Sequence, residues 1–239
     1  MAARADRRAR VLELVGPAGS GKTTLYRALG AQCEAVVPGV PFGGLGHVRL
    51  GLSHAALLLP AWPGSRDRFL GEKELRSMNY VAGWADALER GAGAGALAVF
   101  DHGPLFRLAR LRAFGPRLVG SAAFARWTAA AVARWARLLD AVVWLDAPDE
   151  LLAARIERRD ERHRMKGSPA GDTRRFLARY RAAYDALLAE LAAAGAPKPI
   201  RVDTSREAPA ALAARLLATL APDALPAPCH VAGAAATHR

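Results

Sequence analysis

Val11-Leu-Glu-Leu-Val15 runs directly into Gly16-Pro-Ala-Gly-Ser-Gly21-Lys22-Thr23, and this junction decides how the chain folds. The apolar run predicts a buried strand that breaks at Gly16. Helix-favouring residues open at Gly21 and predict a helix from Lys22 to Leu29. Strand, G-x-x-x-x-G-K-T loop and helix in that order form the pattern that cradles a polyphosphate. Glycines let the backbone curl with its N–H groups pointing inward at one anion, and the helix adds its positive end. Gly16, Gly19, Ser20 and Gly21 then shape the cradle, while Lys22 reaches the β- and γ-phosphates. The Thr23 hydroxyl holds Mg²⁺, and Thr24 follows as a further binding candidate. The pattern points to ATP or GTP and says nothing of the step after binding.

A chain of 239 residues with 52% apolar content fits one α/β domain with a full core. No apolar run approaches the ~18 residues of a membrane span, and Leu57-Leu-Leu59 stops at Pro60. The apolar stretch after the charged N-terminus is too short for a signal-peptide core. Cys33 and Cys229 belong to no metal or redox spacing and are read as reduced thiols, which predicts a cytoplasmic protein. The excess of 34 basic over 22 acidic residues suits nucleic acid, polyanionic substrates or an alanine- and arginine-rich background. Without a long Lys/Arg block or an aromatic-basic platform, nucleic acid is the weakest of the three.

Elsewhere apolar strands and helices alternate. Leu97–Phe100, Ala141–Leu145 and Pro199–Val202 read as strands, and Glu34–Val37 as a further short one. Helical spacing covers Glu72–Arg90 (Leu75, Met78, Tyr80, Val81, Trp84, Leu88) and Ser121–Leu139. Pro148, Asp149 and Glu150 suit a first helical turn running into Arg155-Ile-Glu-Arg-Arg-Asp-Glu-Arg-His-Arg164. Asp172 or Thr173 caps a long helix to about Ala193, and a last helix ends at Leu220. The Gly- and Pro-rich section Pro38–Trp62 suits an acceptor-binding segment and equally a plain connection. The expectation is a three-layer α/β/α fold with a mostly parallel five-stranded sheet over residues 11–221, after a polar lead-in (1–10) and before a tail (222–239) whose composition predicts disorder.

Three constellations carry chemistry. Asp101 ends a buried strand, where open α/β sheets place their ligands. It can hold Mg²⁺ directly or through water, take a proton from an acceptor hydroxyl, or simply cap the turn at Gly103-Pro104. His102 beside it is an acceptor contact or a packed histidine. Arg155, Arg159 and Arg162 fall at i, i+4 and i+7, on one helical face with Arg158 beside it. They form either an exposed face laced with Glu157, Asp160 and Glu161 or an arginine lid over about 155–171, hinged at Gly167 and Gly171. A lid would supply cations to a phosphoryl transfer. Asp203-Thr204-Ser205-Arg206 lies against a nucleotide base or caps the last helix.

From Val11 to Leu220 the order of these parts resembles the nucleoside and nucleotide kinases, especially the thymidylate kinase and deoxynucleoside kinase group. The resemblance rests on Gly16–Thr23, Leu97-Ala-Val-Phe-Asp101, Val143-Trp-Leu-Asp-Ala-Pro148 leading into Arg155-Ile-Glu-Arg158, the arginine segment and the Val202-Asp203 loop. It implies an ATP- and Mg²⁺-dependent small-molecule kinase. In it Lys22 binds the donor phosphates, Thr23 holds Mg²⁺, Asp101 is the acidic residue of the catalytic strand, and Arg155, Arg159 and Arg162 belong to the lid. Thr204 and Arg206 fall where the adenine-contacting loop lies. His102 departs from the arginine that thymidylate kinases carry there for the acceptor's phosphate. That leaves an uncharged hydroxylated acceptor, or a phosphate held by Arg66, Arg68 or Arg76. A regulatory GTPase would need an Asn-Lys-x-Asp motif, but the only asparagine is Asn79. A motor or transporter ATPase would be expected to carry glutamate at position 102. An ATP-binding accessory module without an acceptor is the alternative.

Overall fold

Side chains alternate along β1 (Arg10–Val15), and this alternation sets the layers. Val11 and Val15 enter one apolar cluster, while Leu12 and Leu14 enter another on the opposite face. The computed structural model describes residues 8–32, 44–65, 69–94, 96–160 and 162–220. Among them β1 pairs with β2 (Leu97–Asp101) and β3 (Ala141–Asp146), and β3 pairs with β4 (Ile200–Asp203). All three pairings are parallel, and the four-stranded order is β2-β1-β3-β4. The connections after β1 and β3 lead away to opposite sides of the sheet. The crevice where such sheets bind ligands therefore opens between them, at the carboxyl ends.

The helices in chain order are α1 (Lys22–Gln32), α2 (Gly44–Leu58), α3 (Trp62–Ser65), α4 (Glu72–Glu89), α5 (Pro104–Phe114), α6 (Ala122–Leu138), α7 (Asp149–Glu157), α8 (Ala170–Ala193) and α9 (Pro209–Leu220). α4, α5, α6 and α8 cover one face of the sheet, and α1 and α9 cover the other. Phe100 of β2 anchors the larger core, meeting Trp84 and Trp135 edge-on at 5.2 and 6.0 Å between ring centres. The Trp135 indole also donates to the Val81 carbonyl at 3.1 Å, so its one polar atom is satisfied inside. No described helix is long and apolar enough to cross a membrane.

Several expectations are corrected. Four of the five expected strands stand among the described residues; the fifth, Glu34–Val37, lies outside them, as do Cys33, Cys229, Arg66, Arg68 and the tail from 221. The Gly- and Pro-rich section is helical over α2. There Asn79 of α4 donates to the His47 carbonyl and pairs with His54 Nδ1, both at 2.9 Å. α7 stops at Glu157, so Arg155, Arg159 and Arg162 share no helical face. Like charges at three- and four-residue spacing oppose a continued helix. The Glu157 carboxylate instead accepts the Gly167 N–H, and the chain doubles back. α8 begins earlier than its expected cap, because the Pro169 carbonyl already accepts from Asp172 and Thr173. Gly171 therefore lies inside a helix and is no hinge.

Candidate functional site

The loop from Gly16 to Gly21 is folded tightly over the end of β3 and the first turns of α7. Gly16 has φ +144°, and a Cβ there would stand 2.0 Å from the Leu145 carbonyl oxygen. Gly19, at φ +81°, would put one 2.6 Å from the Leu152 carbonyl. No other residue fits either position. The Gly21 carbonyl accepts the Leu25 N–H at 2.9 Å and so starts α1. Ser20 is wholly buried, and its hydroxyl is 3.4 Å from Lys22 Nζ.

Lys22 is buried, although lysine is rarely found so. Its ammonium donates to the Gly16 and Pro17 carbonyls, each at 2.8 Å. Burial lowers its pKa to about 8, with Asp101 and Asp146 opposing that fall and Arg159 adding to it. A cation so poorly solvated, at the head of a helix and behind a glycine loop, favours an anion strongly.

The Thr23 hydroxyl donates to Asp101 Oδ2 at 2.6 Å. The two expected Mg²⁺ residues, which are 78 positions apart, are therefore adjacent. Asp101 Oδ1 is buried without a hydrogen-bond partner. His102 Nδ1 stands 3.6 Å from it, beyond hydrogen-bonding range. Burial, together with Lys22, Arg159 and Arg107, lowers the His102 pKa to about 4, so the imidazole is neutral at pH 7 and this contact is no ion pair. His102 also sits at φ +57°, turning the chain sharply from β2 into α5. A hydroxyl and a carboxylate with a free oxygen are hard ligands of the kind Mg²⁺ takes when phosphates complete its shell. No group of three or more His, Cys, Asp or Glu among the described residues forms a metal cage.

The other candidates divide. Arg155 reaches the loop and the β4–α9 connection together: its guanidinium donates to Thr204 Oγ1 at 2.8 Å, the Thr204 carbonyl at 2.9 Å and the Gly19 carbonyl at 3.3 Å. Thr204 in turn donates to the Asp146 carbonyl, so its hydroxyl both accepts and donates within this connection. Arg159 lies within electrostatic reach of Lys22 and His102. Arg162 is exposed, and so is Thr24. Arg206 is on the surface, paired with Asp203 at 2.9 Å. Ser205 bonds to Asp203 and caps no helix, since α9 starts only at Pro209.

Sequence reasoning missed two supports. Glu13 in the middle of β1 is wholly buried and accepts from the Leu105 and Phe106 N–H groups at 3.0 Å, capping α5. Burial pushes its pKa up to about 8 against those two bonds. The signal was there: a glutamate inside Val-Leu-Glu-Leu-Val must face a core. Asp146, at the end of β3, receives a forked pair of bonds from Arg181 of α8, both at 2.9 Å. Arg181 also reaches Asp149 at 2.6 Å, which fixes the start of α7.

Compared with known proteins, the chain matches no protein-family model and no curated protein.

Proposed function

We propose that the chain is a small ATP-dependent kinase that transfers a phosphoryl group from Mg·ATP to a hydroxylated small molecule. The observation that carries this reading is the Thr23–Asp101 bond beside the buried Lys22 ammonium, at the mouth of a glycine loop. In this reading the loop and Lys22 bind the triphosphate, and Thr23 and Asp101 would hold Mg²⁺, which neutralises phosphate charge when bound. Asp101 Oδ1 orients the acceptor hydroxyl and takes its proton. The acceptor oxygen bonds to the γ-phosphorus as the bond to the β,γ-bridging oxygen breaks, and ADP leaves with that electron pair. Arg159 and Lys22 stabilise the charge that spreads over the moving group. Arg155 positions the loop through Gly19 and Thr204.

Titration with ATP in the presence of Mg²⁺, followed by an ADP-release screen over nucleosides, nucleoside monophosphates and hydroxylated metabolites, tests the reading. Binding with acceptor-dependent release is the expected result. Binding with slow release that no acceptor accelerates would make the chain an accessory ATPase. Absence of binding would end both readings.

A further inference from the structure

Three polar atoms around the carboxyl end of β2 are buried and unpartnered: Asp101 Oδ1, Tyr26 Oη and Arg107 Nε. They belong to three elements, β2, α1 and α5. A fourth, α4, packs on α5, and its Tyr80 ring lies 3.9 Å beneath the Arg107 guanidinium. Electrostatic coupling runs among all of these groups. Tyr26 feels Asp101, and Tyr80 feels Arg107, Glu13 and Tyr26. His102 feels both Asp101 and Arg107. His102 Nδ1 stands 3.6 Å from Asp101 Oδ1 and its ring centre lies 4.6 Å from that of Phe106, the neighbour of Arg107, so these groups gather at the β2 edge of the crevice, on the β2 side of the glycine loop. Arg155 and Thr204 occupy the opposite, β4 side.

Native proteins leave few buried polar atoms unpaired, and three at one edge of the crevice mark a place where a polar ligand completes the set. The charges give its sign. Arg107, Lys22 and Arg159 gather here beside Asp101, while Asp146 is held by Arg181 and burial keeps Glu13 largely protonated at neutral pH. The Arg107 guanidinium lies over the Tyr80 ring and bonds to the Tyr80 side chain, which fixes its plane, and its free Nε is left to donate to an oxyanion.

We infer that this edge of the crevice is the acceptor subsite and admits an acceptor carrying an oxyanion, a phosphate or a carboxylate, with Arg107 as the specificity-determining residue. The Tyr26 hydroxyl supplies a further donor. The inference rests on the kinase reading and narrows it from any hydroxylated acceptor to an anionic one. It also moves the recognition of charge away from Arg76, which is exposed and pairs with Glu72 on its own helix.

The test uses the full chain saturated with a non-hydrolysable ATP analogue and Mg²⁺. Inorganic phosphate and acetate are titrated separately by calorimetry. One of them is expected to bind with a Kd of about 1 mM or tighter, and which one tells phosphate from carboxylate. Arg107→Gln is expected to weaken that binding at least ~10-fold, and Arg107→Lys, which keeps the charge but not the fixed Nε donor, about 3-fold or more. Analogue affinity should stay within about twofold in both variants, which also reports that they are folded. Failure of both anions to bind the loaded wild-type protein would overturn the inference, and so would unchanged anion affinity in Arg107→Lys. Either result leaves the kinase reading standing as long as the analogue binds. A wild-type protein that does not bind the analogue overturns that reading instead.

Discussion

Thr23 Oγ1 and Asp101 Oδ2 lie 2.6 Å apart, joining the first turn of α1 to the last residue of β2. That bond makes a division of labour measurable. Asp101→Ala is expected to cut acceptor-dependent kcat by roughly 10²–10⁴-fold, and Mg·ATP affinity by a much smaller factor. Steady-state kinetics paired with nucleotide titration checks it. Equal losses in both quantities would remove Asp101 from the chemical step.

Lys22 carries a stability cost that its role would justify. Its pKa falls from 10.5 to about 8, so at pH 7, below both values, the folded state holds the charge at a penalty. The penalty fades only as pH rises from about 8 to 10.5. Lys22→Met is therefore expected to melt at least as high as the wild type at pH 7 while losing ATP affinity ~100-fold or more. Calorimetric melting and ATP titration on the same sample check both halves. A variant that is merely unfolded would fail the first.

Glu13 titrates in the other direction. Its pKa is about 8 when folded against 4.5 unfolded, so the folded state binds the extra proton between those values. Stability linked to this group is complete below pH 4.5 and declines as pH rises to 8, by on the order of 4 kcal/mol. Urea melts at pH 5 and pH 8 should show wild type losing stability relative to Glu13→Gln across that window. Parallel pH profiles of the two proteins would contradict the shift.

Arg155 and Arg159 separate a strut from a charge that acts on Lys22 and His102. Arg155→Met removes two bonds to Thr204 and is expected to cost about 1–3 kcal/mol, with faster amide exchange at 204–207. Arg159→Met is expected to change stability by no more than ~0.5 kcal/mol, yet to lower turnover by ~100-fold or more. Denaturant melts beside turnover assays distinguish the two. The opposite assignment would show as stability lost at 159 and rate at 155.

Much of this was legible before folding. The glycine spacing and the apolar runs locate β1 to β4, and Thr23 and Asp101 meet where a strand-end site requires. α5 left a signal too: Pro104 at the first turn, with Leu105, Leu108 and Leu111 at helical spacing behind the turn at His102 and Gly103. Other features have no local trace. α2 contains glycines a helix disfavours and is held by Asn79, a partner 25 and 32 residues away. Arg155 reads as one of a row of arginines until its helix ends at Glu157 and Thr204 arrives from 49 positions on. Tertiary partners override what a short window can say.

In the β1–β2 ladder Leu14 stands opposite Asp101. A slip of one residue would carry that carboxylate about 3.3 Å along the strand and turn it to the far face. The same pairing seats Phe100 between its two tryptophans. Correct assembly of the interior thus delivers the acid to its hydroxyl neighbour without a separate adjustment. Mutations that silence the protein while sparing its solubility are to be sought in the turns at the strand tips, because damage to the ladder itself would bring down the whole molecule first.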